Sequence, residues 1–277
     1  RSKPVGTVLE EAGELVGSGA RELILIGQDT TSYGRDLYGE CRLPELVRRV
    51  AEIDGTRWLR ILYTHPAYYT TELIALFSEI PKLCRYIDLP VQHASDRILT
   101  AMKRRVTRSK LEDLIGKLRG EIPGVTLRTS VIVGFPGETD ADFAELLDFL
   151  GHARFDRLGC FTYSREEGTP AGEMPDQVPE EVKQERLDEV MRLQREISQA
   201  ANARFVGREM EMVADGVTED GRIVARSYRE APDVDGVIIV EDAGVDAGHF
   251  FNARITEAGP YDCKAVRHAQ RQPSPED

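Results

Sequence analysis

A short apolar run that ends in a glycine- and proline-rich turn constrains the fold of this chain more than any other segment. Residues 128–138 read Arg-Thr-Ser-Val-Ile-Val-Gly-Phe-Pro-Gly-Glu, and an acidic amphipathic run follows at 140–150. This pattern predicts a buried parallel strand, a tight turn and a helix. In α/β folds such a junction lies where ligands bind, so Gly134 and Glu138 are candidate binding residues. An ordinary strand–helix turn is the alternative.

The rest of the first 175 residues repeats this alternation of strand and helix. Strands are predicted at 22–26, 58–63, 86–89, 126–133 and 156–162, and helices at 5–19, 43–53, 70–80, 95–102 with 109–119, and 140–150. Strands that alternate with helices form parallel sheets through right-handed crossovers. Five strands are too few for a closed eight-stranded barrel. We therefore expect an α/β fold with a partial, open β/α barrel.

Polar residues follow each predicted strand, and in a parallel sheet these positions share one edge. They are Gln28 and Asp29, His65, Gln92 and His93, Glu138, and the segment 163–166. Five polar loops on one edge favour an active-site mouth over unrelated loop chemistry. Arg128 and Ser130 alternate along their strand and are predicted to face the barrel interior. An arginine at an exposed strand start is the alternative for Arg128.

The C-terminal third has a different pattern. Residues 180–204 have the spacing of a long, charged surface helix, and five short strands separated by glycine-containing turns follow from 205. Five short strands in about sixty residues indicate a small closed barrel of the oligonucleotide-binding type. The predicted domains are a core at 1–175, a linker helix at 176–205, a β-barrel at 206–268 and a disordered tail at 269–277.

Charge and cysteine spacing limit the possible partners. The net charge is -12, and residues 207–268 hold thirteen acidic and seven basic residues. Direct nucleic-acid binding therefore conflicts with the charge, whereas a basic protein partner fits it. The sequence has no membrane-spanning run and no signal peptide at its start. The four cysteines lack metal-ligand spacing, so no metal ligand is predicted, and reduced thiols in a cytoplasmic protein are expected.

Four segments together resemble the radical S-adenosylmethionine methylthiotransferases. They are Leu-Ile-Gly-Gln-Asp-Thr-Thr-Ser-Tyr-Gly at 25–34, Leu-Tyr-Thr-His-Pro at 62–66, Asp-Leu-Pro-Val-Gln-His-Ala-Ser-Asp-Arg-Ile-Leu at 88–99, and Val-Gly-Phe-Pro-Gly-Glu-Thr at 133–139. The C-terminal barrel is similar to the TRAM domain of this family. The resemblance implies a radical enzyme core followed by a TRAM barrel, and it covers nearly the whole chain.

Within that family, Gln28-Asp29-Thr30 and Gln92-His93-Ala94-Ser95 are similar to one branch. That branch methylthiolates the β-carbon of an aspartate in the twelfth small-subunit ribosomal protein, a basic substrate that is bound either free or in the ribosome. A tRNA adenosine methylthiotransferase and a non-catalytic binding module are the alternatives. A basic barrel would have favoured the tRNA branch, and this barrel is acidic.

The resemblance also implies the cofactors. Family members use S-adenosyl-L-methionine and two [4Fe-4S] clusters, one held by a CxxxCxxC loop and one by an N-terminal domain. This sequence has neither the loop nor that domain, and the loop would lie just upstream of Arg1. We therefore expect this chain to bind no stoichiometric cluster and to be inactive by itself.

Site residues follow from the resemblance, with the catalytic residues left unknown. Gln28 and Asp29 match a motif that contacts the methionyl amino group, for which a carboxylate is a suitable acceptor. The resemblance places Gln92 against the ribose or the carboxylate of S-adenosylmethionine. Gly134 and Glu138 belong to a segment that packs near the adenosine. Arg128 and Ser130 would face the cofactor or the substrate aspartate, where arginine pairs with carboxylates.

Overall fold

The computed structural model describes residues 1–242 and 244–267, and the predicted tail at 269–277 lies outside that range. The chain divides into two compact units, Arg1–Ile197 and Ser198–Asp277. This division falls inside a long helix, and the four domain boundaries drawn from the sequence stay predictions. Each unit has its own hydrophobic core.

The first unit alternates strands and helices as the sequence predicts. The strands are β1 (Glu22–Leu25), β2 (Trp58–Ile61), β3 (Tyr86–Asp88), β4 (Thr126–Val133) and β5 (Arg157–Thr162). The helices are α1 (Val5–Gly17), α2 (Arg35–Tyr38), α3 (Leu43–Ala51), α4 (Thr71–Glu79), α5 (Asp96–Ala101), α6 (Arg108–Glu121), α7 (Asp140–Ala153) and α8 (Glu180–Ala203).

All strand pairs in this unit are parallel, and the strands follow one another in chain order. β1 pairs with β2, while β3, β4 and β5 form a second ladder. A parallel bridge between Leu59 and Leu83 connects β2 to the chain that enters β3. The α/β class and the partial β/α arrangement are therefore confirmed. Parallel strands align their carboxyl ends, so the loops after all five strands lie along one edge.

The two faces of β4 differ in burial. Leu127, Val131 and Val133 are buried in the core with residues of the covering helices, whereas the alternate residues Arg128 and Ser130 are only half-buried. Alternation is the rule for a strand because successive side chains point to opposite faces. One face is thus covered by helices, and the other carries polar groups.

Three local features differ from the sequence-based expectation. The broken fourth helix is two separate helices, because α5 ends at Ala101 and Lys103 has a positive φ of 56°. The short helix α2 was not predicted. The charged residues of α8 were predicted to form a solvated face. Two of them are buried instead, since Lys183 and Arg186 are each 6% exposed. Periodicity of apolar residues alone does not detect buried ionic groups.

The second unit contains a closed five-stranded barrel, as predicted. Its strands are β6 (Glu209–Val217), β7 (Ile223–Ser227), β8 (Ile238–Val240), β9 (Phe250–Ala258) and β10 (Cys263–Val266). Around the barrel the order is β10, β8, β7, β6 and β9, and only the pair of β8 with β10 is parallel. Inward-facing small and branched residues such as Ala225, Ile238 and Ala265 fill the interior. Closure removes the exposed strand edges.

Candidate functional site

The loops that follow β1 to β5 are tied to one another by hydrogen bonds. We call this edge of the sheet the rim, which comprises residues 26–31, 62–65, 89–97, 134–142 and 163. The first connection joins the ends of β1 and β2. The Thr30 backbone N–H donates to the Tyr63 carbonyl at 3.0 Å, and the Thr30 hydroxyl donates to the Leu62 carbonyl at 2.6 Å. The Thr31 hydroxyl accepts the His65 backbone N–H at 3.1 Å. The two adjacent threonines thus lock these loops together.

Asp29 belongs to the same loop and is held by its own neighbours. Its two carboxylate oxygens accept hydrogen bonds from the Thr31 and Ser32 hydroxyls. Gln28, directly before it, is exposed and lines a cavity of about 420 Å³ beside the first residues of the chain. The contacts fix the orientation of the Asp29 carboxylate at the rim, where it remains half-buried.

Asp88 at the end of β3 connects β2 to β4. Its Oδ2 accepts the Tyr63 backbone N–H at 2.9 Å, and its Oδ1 accepts Arg128 Nη1 at 2.8 Å. Arg128 Nη1 also lies 3.3 Å from the Ser130 hydroxyl. Asp88 is 2% exposed, so the carboxylate of this ion pair is buried. Arg128 and Ser130 therefore share the polar face of the sheet, as their alternation predicted.

That polar face, called the inner face, carries Arg60, Asp88, Arg128, Ser130 and Phe161. Arg60 is fully buried, donates to Glu22 at 3.0 Å and lies over the Tyr86 ring. Phe161, by contrast, is 55% exposed. A large exposed aromatic side chain next to buried ion pairs gives the inner face both apolar and charged contact surface for a ligand.

Left-handed backbone occurs within four residues of the ends of three successive strands. Tyr63 follows β2 with φ 56°, Gln92 follows β3 with φ 71°, and Gly134 follows β4 with φ 73°. Tyrosine and glutamine rarely adopt this conformation, and such residues concentrate at functional sites. Gln92 is held there by two ladder bonds, since its N–H donates to the Ser130 carbonyl and its carbonyl accepts the Ile132 N–H. The rim is thus a place where backbone strain accumulates.

Glu138 turns its carboxylate into the protein. Oε2 accepts the backbone N–H groups of Gly134 at 2.8 Å and Phe135 at 3.1 Å, and Oε1 accepts Arg186 Nη1 at 2.9 Å. His93 Nε2 lies 3.6 Å from Oε2. The Glu138 side chain has 0% exposure. Its contacts shape the turn after β4 from within, and they do not direct the carboxylate toward open space.

Gly134 is covered by α8. A Cβ at this position would overlap the Cγ of Lys183, whose Nζ donates to the Tyr163 carbonyl at 2.9 Å. The sequence suggested that this glycine leaves room for a ligand to approach the backbone. The space is filled by the lysine side chain, so the positive φ and the packing of α8 account for the glycine.

Asp142 joins the loop after β3 to the turn after β4. It accepts the Ser95 hydroxyl at 2.7 Å and two donors of Arg97, and it forms a capping box with Thr139 at the start of α7. Arg97 also donates to the Gly137 carbonyl at 2.7 Å. Burial raises the pKa of Asp142, but the hydrogen bonds from Arg97, Thr139 and Ser95 outweigh it and hold the pKa well below its usual range.

The structure brings the predicted site residues to one edge of the sheet, but their surroundings differ. Gln28, Asp29 and Gln92 lie at the rim, where Gln28 and Asp29 line the same cavity. Arg128 and Ser130 lie on the inner face. Gly134 and Glu138 lie under α8. Sequence reasoning missed a second set of residues that hold the rim together, namely Thr31, Asp88, Ser95, Arg97, Asp142, Lys183 and Arg186. Of that set, Asp142 alone has a local sequence signal, its capping box with Thr139.

Two features are absent from the described residues, a metal-binding cluster and a membrane-spanning helix. In residues 1–242 and 244–267, no group of three or more His, Cys, Asp or Glu side chains is arranged to hold a metal ion. Within the same residues, no helix combines the length and the apolar character that crossing a membrane requires.

Comparison with protein-family models identifies both units. The Radical SAM superfamily model matches residues 1–150, and the TRAM domain model matches residues 206–267. The first match covers more than half of the chain. It includes every predicted site residue, and the second covers the five-stranded barrel.

Curated relatives match almost the entire chain. The ribosomal protein uS12 methylthiotransferase RimO of Desulforamulus reducens is 49% identical over 265 residues, which are 95% of this chain and 60% of that protein. The RimO protein of Geobacter sulfurreducens is 48% identical over 264 residues, with 95% and 59% covered. The chain thus spans about three fifths of the length of these relatives.

A solved structure shares the fold. Coproporphyrinogen III oxidase (HemN) from Escherichia coli, described as a radical SAM enzyme, superposes with a TM-score of 0.53 at 14% sequence identity, covering 81% of this chain and 58% of that protein. At this identity the likeness concerns the fold alone.

Proposed function

Because this chain belongs to the radical SAM superfamily, we propose that it is the cofactor-binding core of an enzyme that adds a methylthio group to the β-carbon of an aspartate in ribosomal protein uS12. The observation that carries the proposal is the 46–49% identity to uS12 methylthiotransferases over 95% of the chain. Since those relatives are longer, we assign the complete reaction to the whole protein.

The superfamily implies S-adenosylmethionine and a [4Fe-4S] cluster as cofactors. When bound, they supply hydrogen abstraction at carbon and a methyl group. The cluster does not fit the described residues, because they contain no group of three metal-ligating side chains. We therefore assign no step to the cluster here, and a second cluster stays a prediction.

S-adenosylmethionine, in contrast, fits the chemistry of the rim. We propose that Asp29, whose carboxylate is oriented by the Thr31 and Ser32 hydroxyls, accepts the methionyl ammonium group. The exposed side chains of Ile26 (67%) and Tyr63 (50%) offer apolar surface for the adenosine. Gln92 supplies an amide at the end of β3 for the ribose or the carboxylate.

The remaining predicted residues would act at the inner face and beneath the turn after β4. Arg128, paired with Asp88 and next to Ser130, presents a guanidinium group toward bound carboxylates. Glu138 holds the backbone of Gly134 and Phe135. We propose that Glu138 positions this turn and does not touch the cofactor.

The proposed partner is uS12, free or in the ribosome, and the acidic barrel supports it. Ribosomal proteins are basic, and the excess of acidic residues at 207–268 complements such a surface. A cytoplasmic location follows from that partner as a further part of the proposal.

The test of the function is a deletion of the gene that encodes this chain in its own organism. Mass spectrometry of uS12 is expected to show loss of the methylthio group from one aspartate, with recovery when the gene is restored. Unchanged uS12 together with loss of a methylthio group from tRNA adenosine would replace the proposal by the tRNA reaction. No loss from either would support a binding module.

A further inference from the structure

β5 is the last strand of its sheet, and the side of it that points away from β4 is unpaired. We call this side the outer edge. The order in the sheet is β3, β4 and β5. Among residues 1–242 and 244–267, no strand and no isolated bridge pairs with β5 on the outer edge. A strand edge without a partner leaves backbone N–H and C=O groups with which another chain can pair.

The pairing of β5 with β4 shows which backbone groups point to the outer edge. The Tyr163 N–H, directly after β5, donates to the Val133 carbonyl at the end of β4 at 2.9 Å. Backbone groups alternate in direction along a strand, so the N–H and C=O of Phe161 also point to β4. Those of Cys160 and Thr162 therefore point to the outer edge, where they can donate to and accept from an added strand.

The outer edge lacks the features by which edge strands usually avoid pairing, namely proline, exposed lysine and a bulge. The stretch Leu-Gly-Cys-Phe-Thr at 158–162 contains no proline and no charge, and Arg157 before it is buried. The ladder with β4 runs from Arg157 to Thr162 without a register shift. Phe161 adds an aromatic side chain that is 55% exposed on the inner face. An unprotected edge of this kind suits an extended peptide.

The loop that follows β5 is acidic, and it returns to the rim. Between 164 and 176 it holds one basic residue and four acidic residues, namely Glu166, Glu167, Glu173 and Asp176. All four are exposed, and none is paired with a basic side chain of the described residues. The Asp176 carbonyl accepts the Gly137 N–H at 2.8 Å, which fixes the far end of the loop beside the turn after β4. Unpaired carboxylates thus adjoin the rim end of the outer edge.

We propose that the outer edge of β5 takes up, as an additional strand, the segment of uS12 that carries the target aspartate. The proposal rests on the proposed function, which makes a basic ribosomal protein the substrate. The carboxylates after β5 complement basic residues that flank the target, and Phe161 offers an apolar contact. Side chains alternate along an added strand, so the target aspartate would occupy a position that points to the inner face.

A second copy of this chain is the competing occupant of the outer edge. Its net charge of -12 opposes that association, because two copies repel each other. A basic segment is attracted to the same surface.

Three synthetic peptides with the target segment of uS12 test the added strand. One has free amides, and the other two are N-methylated at alternate residues, either in phase or out of phase with the target aspartate. A strand paired along one side uses only every second N–H. One methylated peptide should therefore bind the unaltered chain like the free peptide, and the other about a hundredfold more weakly. Fluorescence anisotropy measures the affinities.

Two variants of the chain test the receiving side. Thr162→Pro removes an N–H of the outer edge and leaves the ladder with β4 intact, so it should weaken binding of the free peptide about tenfold. Glu166→Gln combined with Glu167→Gln should weaken binding about tenfold at low salt and less at high salt. Its matched control is Glu10→Gln with Glu14→Gln, two exposed positions on α1, which should leave the affinity unchanged. Circular dichroism checks that each variant is folded.

The results that would overturn the inference differ from a failure of the proposed function. Equal affinities of the two methylated peptides would place the bound segment elsewhere on the chain. A dimer in analytical ultracentrifugation, with slow hydrogen exchange at the Cys160 and Thr162 amides in the absence of uS12, would give the edge to a second copy. If the unaltered chain bound neither uS12 nor the free peptide, the proposed partner would fail as well.

Discussion

At the scale of single residues, Asp142 connects the two sequence segments 88–99 and 133–139. It is 47 residues away from Ser95 in the sequence, yet the two side chains are hydrogen-bonded. Its carboxylate also accepts a hydrogen bond from Arg97 and forms the capping box of α7 with Thr139. A single acidic side chain therefore fixes the relative position of two loops of the rim.

Asp142→Asn should lower the free energy of unfolding by about 2 kcal/mol, because the amide cannot accept all of these hydrogen bonds. The folded-state pKa of Asp142 lies below that of an unfolded aspartate. Its contribution is therefore complete above about pH 4 and is lost as the pH falls through the folded-state value. Urea denaturation at pH 7 and at pH 3 should show the difference between the two chains shrinking at the lower pH.

Asp148→Asn is the matched control in the same helix, since Asp148 is exposed and pairs with Arg108 on the surface. It should change stability little. A loss at Asp142 that is equal at both pH values would contradict the assigned ionic contribution.

Gly134 provides a second prediction at this scale. Gly134→Ala combines a positive φ with overlap of Lys183, so it should cost about 2–4 kcal/mol. Gly137→Ala has a similar φ of 78° but its nearest neighbour is 3.8 Å away, and it should cost about 1 kcal/mol. Thermal unfolding measures both. Adding Lys183→Ala to Gly134→Ala should recover part of the loss, and a purely additive double variant would argue against the contact.

At the scale of elements, α8 is attached to the first unit by ionic groups that the sequence pattern does not reveal. Arg186 bonds Glu138 and Asp140, and Lys183 bonds the Tyr163 carbonyl after β5. Two strand ends are thus held from outside by one helix. Its start has a supporting role for the turn after β4, in addition to leading toward the next unit.

Arg186→Met should destabilise the first unit by about 3 kcal/mol, because it leaves the buried Glu138 carboxylate without its arginine. Hydrogen exchange should increase at the Gly134 and Phe135 amides, which that carboxylate holds. Arg192→Met on the exposed side of α8 is the control and should have little effect. Unchanged exchange at the two amides in Arg186→Met would refute the supporting role of the helix.

The sequence predicted the elements well where local signals are strong. The predicted bounds of β4 match both ends of the strand, since the segment lies between Gly124 and Gly134. The fourth helix was predicted as one broken helix at 95–102 and 109–119, whereas the structure has two separate helices, because a positive φ at a lysine has no residue signature. Buried ionic positions on α8 were missed, because charged residues at helical spacing resemble a solvated face.

At the scale of the whole molecule, the shared edge of the site was predictable, and its contacts were not. Parallel topology alone places residues such as Asp29, Gln92 and Gly134 after strands at one edge. Arg186 lies 48 residues from Glu138, and Ser95 lies 47 residues from Asp142, so no local pattern reveals these two contacts.

Charge gives a prediction at this scale. Reversal of three exposed barrel carboxylates to lysine should weaken binding of uS12 about tenfold at low salt and reduce its salt dependence, the positions being Glu209, Glu219 and Glu241. An equal reversal on the first unit is the control, at Glu10, Glu14 and Glu52. Affinity measured by biolayer interferometry should respond mainly to the first set. Equal losses for both sets would indicate an effect of net charge alone.

Iron content gives a second prediction at the scale of the whole molecule. The described residues contain no group of three metal-ligating side chains, so anaerobic reconstitution of this chain should leave it without stoichiometric iron. Iron and sulfide analysis after gel filtration makes the measurement. About four irons per chain would contradict the expectation.

Hydrogen bonds that run from one strand end to the next carry a consequence for affinity. Loops that are tied together before any small molecule arrives have lost their conformational entropy during folding, so little of it remains to be lost on association. Occupied and empty forms should then superpose closely in backbone. Selectivity among adenosyl compounds would be decided by a few charged side chains already held in place, and not by closure of a flexible segment.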